Sequence, residues 1–179
     1  MTLTPDLRDS ILQSVPHLRA FAMSLAGNAD QADDLVQEAL VRGLGHIEQF
    51  QPGTNMQAWL FTILRNQFHT AYRKRRREVE DPEGGYAARL SVPPEQVGHL
   101  DVEDLKTALT KIPIEQREAL LLVTAQGFSY EEAAEICRTK IGTIKSRVHR
   151  ARTELAKLLS VAAPEDIEAD SVFKAIASG

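Results

Sequence analysis

Apolar side chains return every three or four residues over most of this chain, the repeat that lines one face of a helix. In "HLRAFAMSLAG" Leu18, Phe21, Ala22 and Leu25 share a face, and the stretch stops at Gly27-Asn28, a helix-ending pair. Upstream, Thr4-Pro5-Asp6 carries a helix start: a capping hydroxyl, proline at the first helical position, then an acid near the positive end of the dipole. Pro16 is expected to break or restart that first helix, because it lacks the N–H that the ladder needs. In "NADQADDLVQEALVRGLGHIEQF" Leu35, Ala39, Leu40 and Leu44 recur at helical spacing and Ile47 continues them. Asp30, Asp33 and Asp34 crowd its first turns. The Pro-Gly pair in "QPGTN", 51–55, marks a loop. A strong helix, "MQAWLFTILRNQFHTAYRKRRR", follows, with Leu60, Leu64, Phe68 and Ala71 in one stripe widened by Trp59, Ile63 and Tyr72.

The pattern then breaks. Residues 78–104 hold eight acids against one base, Arg89, punctuated by Gly84-Gly85 and Pro93-Pro94. Such a stretch buries little apolar surface and reads as an acidic linker. Helical spacing resumes in "DVEDLKTALTKI" with Val102, Leu105 and Leu109, and again in "PIEQREALLLVTAQG", which starts near Pro113 and ends at Gly127. Ser129 and Glu132 in "FSYEEAAEICR" form an S-x-x-E capping box. "IGTIKSRVHRARTELAKLL" repeats Ile144, Val148, Ala151, Leu155 and Leu158. The expected fold is all-α: a helical domain over 1–77, an acidic linker over 78–100, a second helical domain over 101–160 and a tail over 161–179, either one short helix or a frayed end.

Composition changes this picture little. The chain has 179 residues, 43% apolar and 26% charged, which is ordinary for a globular protein. Cys137 stands alone, so no intrachain disulfide forms, and on an apolar helix face it is expected in the core. The N-terminus lacks a basic region followed by an apolar core, and no apolar stretch approaches a membrane span, so a soluble cytoplasmic protein is expected. Nothing suggests an enzyme. The five histidines are scattered, without metal-ligand spacing. There is no phosphate-cradling Gly-rich loop; Gly43 and Gly45 lie inside a helical pattern. Asp33 and Asp34 are neighbours at a helix start, where a dipole role outweighs acid–base work. No catalytic residue, metal or cofactor is expected.

Charge distribution is more informative than its sum. The net formal charge is −4, yet "KIGTIKSRVHRAR", 140–152, gathers Lys140, Lys145, Arg147, Arg150 and Arg152 without an acid. At 3.6 residues per turn, Lys145, His149 and Arg152 fall opposite the apolar stripe, Ser146, Arg150 and Thr153 continue round that face, and Arg147 flanks the stripe. Preceded by a capped helix and a tight turn near 138–141, this reads as a helix-turn-helix with a cationic front. Arginine and lysine there suit phosphates and guanine edges, and serine and histidine suit bases. A solvated charged face is the alternative for such a run taken alone. A second basic island, "RNQFHTAYRKRRR", interleaves Phe68 and Tyr72 with Arg65, Arg73, Lys74, Arg75, Arg76 and Arg77, a mixture suited to unpaired bases and phosphates. Phe68 and Leu64 read as core; the 73–77 cluster reads as a nucleic-acid surface.

These segments together resemble the extracytoplasmic-function (ECF) sigma factors of bacterial RNA polymerase. "ADDLVQEALVRGL", "MQAWLFTILRNQFHTAYRKRRR", "IPIEQREALLL", "GFSYEEAAEI" and "GTIKSRVHRAR" occur in the family's order and spacing over residues 8–160. Within the family the chain looks most like the general-stress (EcfG-type) group of alphaproteobacteria. The resemblance implies a sigma region 2-like bundle and a sigma region 4-like helix-turn-helix. It implies that Asp33, Asp34, Leu35, Gln37 and Glu38 grip the polymerase β′ clamp, and that the second domain meets the β flap. It implies that the loop 50–56 and the helix 57–77 melt and read the −10 promoter element through Asn55, Trp59, Arg65, Arg73, Arg75 and Arg76. Lys145, Ser146, His149, Arg150 and Arg152 would read the −35 element. The linker would occupy the channel used by RNA and template, and an anti-sigma factor, NepR-like in an EcfG-type protein, would hold the chain inactive. The family turn usually has Gly and Pro where this chain has Arg138 and Lys140, so Arg138 would be strained if it needs positive φ. The rivals are a sigma mimic that titrates an anti-sigma factor without binding DNA, and a free-standing helix-turn-helix repressor.

Overall fold

The computed structural model describes residues 3–79 and 102–160. The described residues form seven α-helices and one 3₁₀ turn, with no strand among them. The linker expected over 78–100 and the tail expected over 161–179 lie outside the described residues, apart from Glu78, which closes the third helix, and Val79.

The first half is a three-helix bundle. Helix α1 spans Pro5–Ala26, capped by Thr4, whose hydroxyl accepts from the Leu7 amide at 3.4 Å, and closed by Gly27 at φ 79°. It runs unbroken through Pro16, contrary to the sequence expectation. Pro16 lies on the exposed side, and so does Leu12, whose carbonyl is the one a proline at 16 leaves without its helical donor. The buried stripe Ile11, Leu18, Phe21, Ala22 and Leu25 keeps the helix on its neighbours despite that missing bond. Helix α2, Ala29–Gly45, starts at Asn28, whose side chain accepts from Gln31 at 2.9 Å. Its buried face is Ala32, Leu35, Val36, Ala39 and Gly43; Leu44, expected in that stripe, is instead exposed. At Gly43 α2 passes close to α3: a Cβ there would stand 3.0 Å from Leu60 Cδ2, so that leucine would have to give way to a larger residue. The 3₁₀ turn Ile47–Gln49 and the loop 51–55 lead into helix α3, Met56–Glu78, capped by Asn55 and ending in Arg75, Arg76 and Arg77, where cations complement the dipole.

The second half comprises α4 (Val102–Lys111), α5 (Ile114–Thr124), α6 (Tyr130–Cys137) and α7 (Ile141–Leu158). The capping box at the start of α6 is complete: Ser129 Oγ accepts from the Glu132 amide at 3.0 Å, and the Glu132 carboxylate accepts from the Ser129 amide at 2.9 Å. Three residues, 138–140, connect α6 to α7. Arg138 adopts the left-handed conformation, φ 51° and ψ 48°, where the family pattern places glycine. The buried back of α7 is Ile144, Val148, Ala151, Leu155 and Ala156; Leu158, expected to complete it, is 37% exposed.

The halves share one hydrophobic core. An aromatic chain crosses it: Phe21 of α1 meets Phe61 of α3 at 5.0 Å, and Phe61 meets Phe128, just before α6, edge-on at 5.2 Å. Arg117 of α5 staples the seam, donating to the Ser24 carbonyl of α1 at 2.8 Å and to the Thr110 and Ile112 carbonyls at 3.0 and 3.1 Å. Its burial lowers the guanidinium pKa from the ordinary value, an effect opposed by Tyr72. Cys137 is buried, as the sequence suggested, and burial, reinforced by Glu118, pushes its thiol up to about 12.

Two outcomes are expected. Replacing Arg138 by glycine relieves the left-handed strain, so R138G raises the free energy of unfolding by about 1 kcal/mol, read as a higher denaturant midpoint. Because the folded chain holds the Cys137 proton above its ordinary pKa of 9.0, iodoacetamide at about pH 9 alkylates the native protein at least tenfold more slowly than the urea-unfolded chain. By the same linkage, stability relative to C137A is constant below the unfolded pKa and falls as pH rises from 9.0 toward about 12.

Candidate functional site

The front of α7 is open. Lys145, Ser146, His149 and Arg150 are exposed and Arg152 is half-buried, while Ile144, Ala151 and Leu155 directly behind them have no solvent contact. Among the described residues Arg150 and Arg152 have no carboxylate partner. Lys145 Nζ sits 5.8 Å from the centroid of the Tyr130 ring, which ties the front of α7 to α6. Ser146 and Thr153 bond back to the carbonyls of Gly142 and His149, each at 3.0 Å. The geometry is a rigid helix with its apolar face fixed and a cationic arc turned to solvent, the form needed to enter a major groove.

The second basic island divides. Arg73, Arg75 and Arg76 are exposed on the last turns of α3; Arg73 Nε reaches the His69 carbonyl at 3.3 Å and Arg75 reaches Gln31 Oε1 at 3.3 Å. Phe68 and Leu64 are core, as read, and Tyr72 stacks on Phe68 at 5.8 Å. Trp59 is half-buried against Phe50, with ring centroids 5.5 Å apart. Asn55 caps α3 by accepting from the Ala58 amide at 3.2 Å, and its Nδ2 donates to Glu132 Oε1 of α6 at 3.3 Å. Beside it an open groove of about 620 Å³ runs between the first turns of α1 and the loop, lined by Leu7, Ser10, Phe50, Thr54 and Met56 among others.

Arg65 departs from the expectation. It does not face solvent; its Nε donates to the carboxylate of Glu118, a residue of α5 with no exposure. His69, one turn further along α3, meets the same carboxylate at 3.0 and 3.2 Å. In this arrangement Arg65 is a seam residue, because a buried carboxylate has to be paired. Glu118 was not singled out from the sequence, although an acid inside the run "EALLL" was the available signal.

The α2 residues also separate. Leu35 is buried in the bundle and holds α2 in place, so it offers no surface to a partner. Asp33 pairs with Arg19 of α1 at 2.8 Å. Asp34, Gln37 and Glu38 are exposed, Glu38 loosely paired with Arg42 at 3.8 Å. The same outer face carries Val41, 71% exposed, and Leu44, 44% exposed, which the sequence reading did not place there. Among the described residues there is no cluster of three or more metal-ligating side chains, and no helix is long and apolar enough to cross a membrane.

The sigma-70 region 2 family matches residues 11–78, and the sigma-70 region 4 family matches residues 103–155. The chain is 59% identical over 179 residues to the ECF RNA polymerase sigma factor EcfG of Rhodopseudomonas palustris, covering 100% of this chain and 99% of that one. It is 34% identical over 161 residues to the ECF sigma factor SigE of Mycolicibacterium smegmatis, 87% of this chain and 62% of the relative. Among solved structures it is similar to the sigma factor RpoE of Bartonella quintana, determined in complex with the anti-sigma factor NepR. That match has TM-score 0.77 and 48% identity, and covers 89% of this chain and 99% of the other. With both sigma-70 regions in order and this identity across the full length, the chain belongs to the ECF sigma factors of bacterial RNA polymerase.

Proposed function

We propose that the chain acts in the cytoplasm as the promoter-specificity subunit of RNA polymerase in a general stress response, contributing recognition and strand opening but no catalysis of its own. The observation that carries this reading is α7, whose back is sealed in the core while Lys145, Ser146, His149, Arg150 and Arg152 line its outer arc. These residues read the −35 element, with Arg and Lys on phosphates or guanine edges. The exposed end of α3, with Arg73, Arg75 and Arg76, and the foot of the helix at Asn55 and Trp59 serve the −10 element. The outer face of α2 binds the β′ clamp through Asp34, Gln37 and Glu38, together with Val41 and Leu44, which stand three residues apart as neighbouring exposed apolar side chains on that face. The second half meets the β flap. A NepR-like anti-sigma factor is the natural antagonist, in keeping with the complex formed by the 48%-identical RpoE.

Run-off transcription with core polymerase on pooled promoter fragments of the host tests this reading directly. No transcript above core alone would refute it. Arg150→Ala is expected to lower promoter output about tenfold, the loss of one good base or phosphate contact, with core affinity unchanged. Val41→Asp is expected to do the reverse, weakening capture of core polymerase about tenfold by placing a charge at the centre of an apolar contact while leaving the fold's thermal midpoint in place. Equal loss of both properties in either variant would contradict the division of labour between α7 and α2.

A further inference from the structure

Arg65, which the family resemblance assigns to promoter DNA, does not face solvent, and the group that covers it is an acid. Arg65 and His69 lie one turn apart on α3, and Arg73 and Arg76 continue the same side of the helix toward its exposed end. The C-terminal part of this cationic stripe is open. The other part is closed by α5, which seats the Glu118 carboxylate on Arg65 Nε and on His69 Nε2. With α5 in place the Arg65 and His69 side chains are only 13% and 18% exposed, and Glu118 is not exposed at all. The pattern repeats at the foot of α3, where Asn55 donates to Glu132 of α6. Two carboxylates from the second half thus occupy donors that α3 and its cap would otherwise present outward.

We propose that Glu118 is an internal stand-in for a nucleic-acid phosphate. Its carboxylate fills an anion notch formed by Arg65 and His69, so that a backbone phosphate of the −10 strand and the second half of the chain compete for the same two side chains. The proposal rests on the assignment of α3 to the −10 element. A planar carboxylate and a phosphodiester offer the same thing to a guanidinium: anionic oxygens at hydrogen-bonding distance. The closed chain therefore hides part of its own DNA-binding stripe, and opening the seam exposes both the notch and its competitor. The competition is reciprocal: whatever the closed form subtracts from DNA affinity, bound DNA subtracts from the closed form.

Fluorescence anisotropy of the full chain with a labelled, mixed-sequence single-stranded DNA at low salt tests the idea without polymerase. Glu118→Gln keeps the shape and removes the competing charge. It is expected to bind the oligonucleotide five- to tenfold more tightly than wild type, and adding Arg65→Gln to it should abolish that gain. E118Q binding no more tightly than wild type, or a gain that survives R65Q, overturns the proposal. The Arg73→Ala/Arg75→Ala/Arg76→Ala variant separates the two levels. If it loses affinity while E118Q gains none, the stand-in fails and the assignment of α3 survives; if it loses none either, the assignment of α3 fails with it. Should E118Q not fold, hydrogen exchange on the wild-type chain decides. Saturating oligonucleotide is expected to speed exchange of the α5 amides, 114–124, and unchanged or slower exchange with DNA bound overturns the proposal.

Discussion

A carboxylate without solvent contact destabilises any fold that does not surround it with donors, and Glu118 is such a group. Its partners, Arg65 and His69, come from the other half of the protein. The pair therefore sets the relation between the two halves, because separating them without giving Glu118 water or another cation leaves a buried charge uncompensated, at a cost of about 3–5 kcal/mol. The apolar contacts around it, Phe61 on Phe128 foremost, are non-directional and tolerate small slips. The ion pair does not tolerate them, and Arg117, bonded to the Ser24 carbonyl across the seam and to the Thr110 and Ile112 carbonyls of its own half, adds a second geometric constraint.

That arrangement gives the two helices proposed to meet DNA, α7 and α3, different status. The front of α7 faces away from the core and is open in the closed chain. The equivalent stripe on α3 is open only over its last turns. A chain with net charge −4 thus presents one compact cationic arc and withholds part of another. Long-range attraction to DNA is weak for a protein of this net charge.

Much of this was legible in the residues. Helix ends were read from local chemistry, because a cap or a left-handed glycine acts within one turn: Gly27, the Pro-Gly loop and the Ser129–Glu132 box fall where the spacing put them. The cationic front of α7 was legible for the same reason, since one helix's periodicity fixes both its faces. What depended on neighbouring helices was not. Pro16 reads as a break, yet tertiary packing carries α1 through it. Leu44 and Leu158 continue their stripes on paper, but the packed face of α2 runs through Ala39 and Gly43 instead, and α7 outruns the core that would cover its end. Arg65 carries a residue type that suits a surface role, and only its partner in space turns it inward; Leu35 sits in an apolar stripe that already reads as buried, and its polymerase role came from the resemblance alone. The resemblance to sigma factors supplied the division into two recognition elements, which no periodicity contains.

Trp59 is the chain's single tryptophan, and it leans on Phe50 where the loop enters α3, next to the open groove and one turn from Asn55. Indole emission, excited at wavelengths the chain's three tyrosines do not absorb, consequently originates at one spot, beside the place where the halves touch. The molecule carries a built-in optical probe: its colour and intensity follow the environment of that junction without any label.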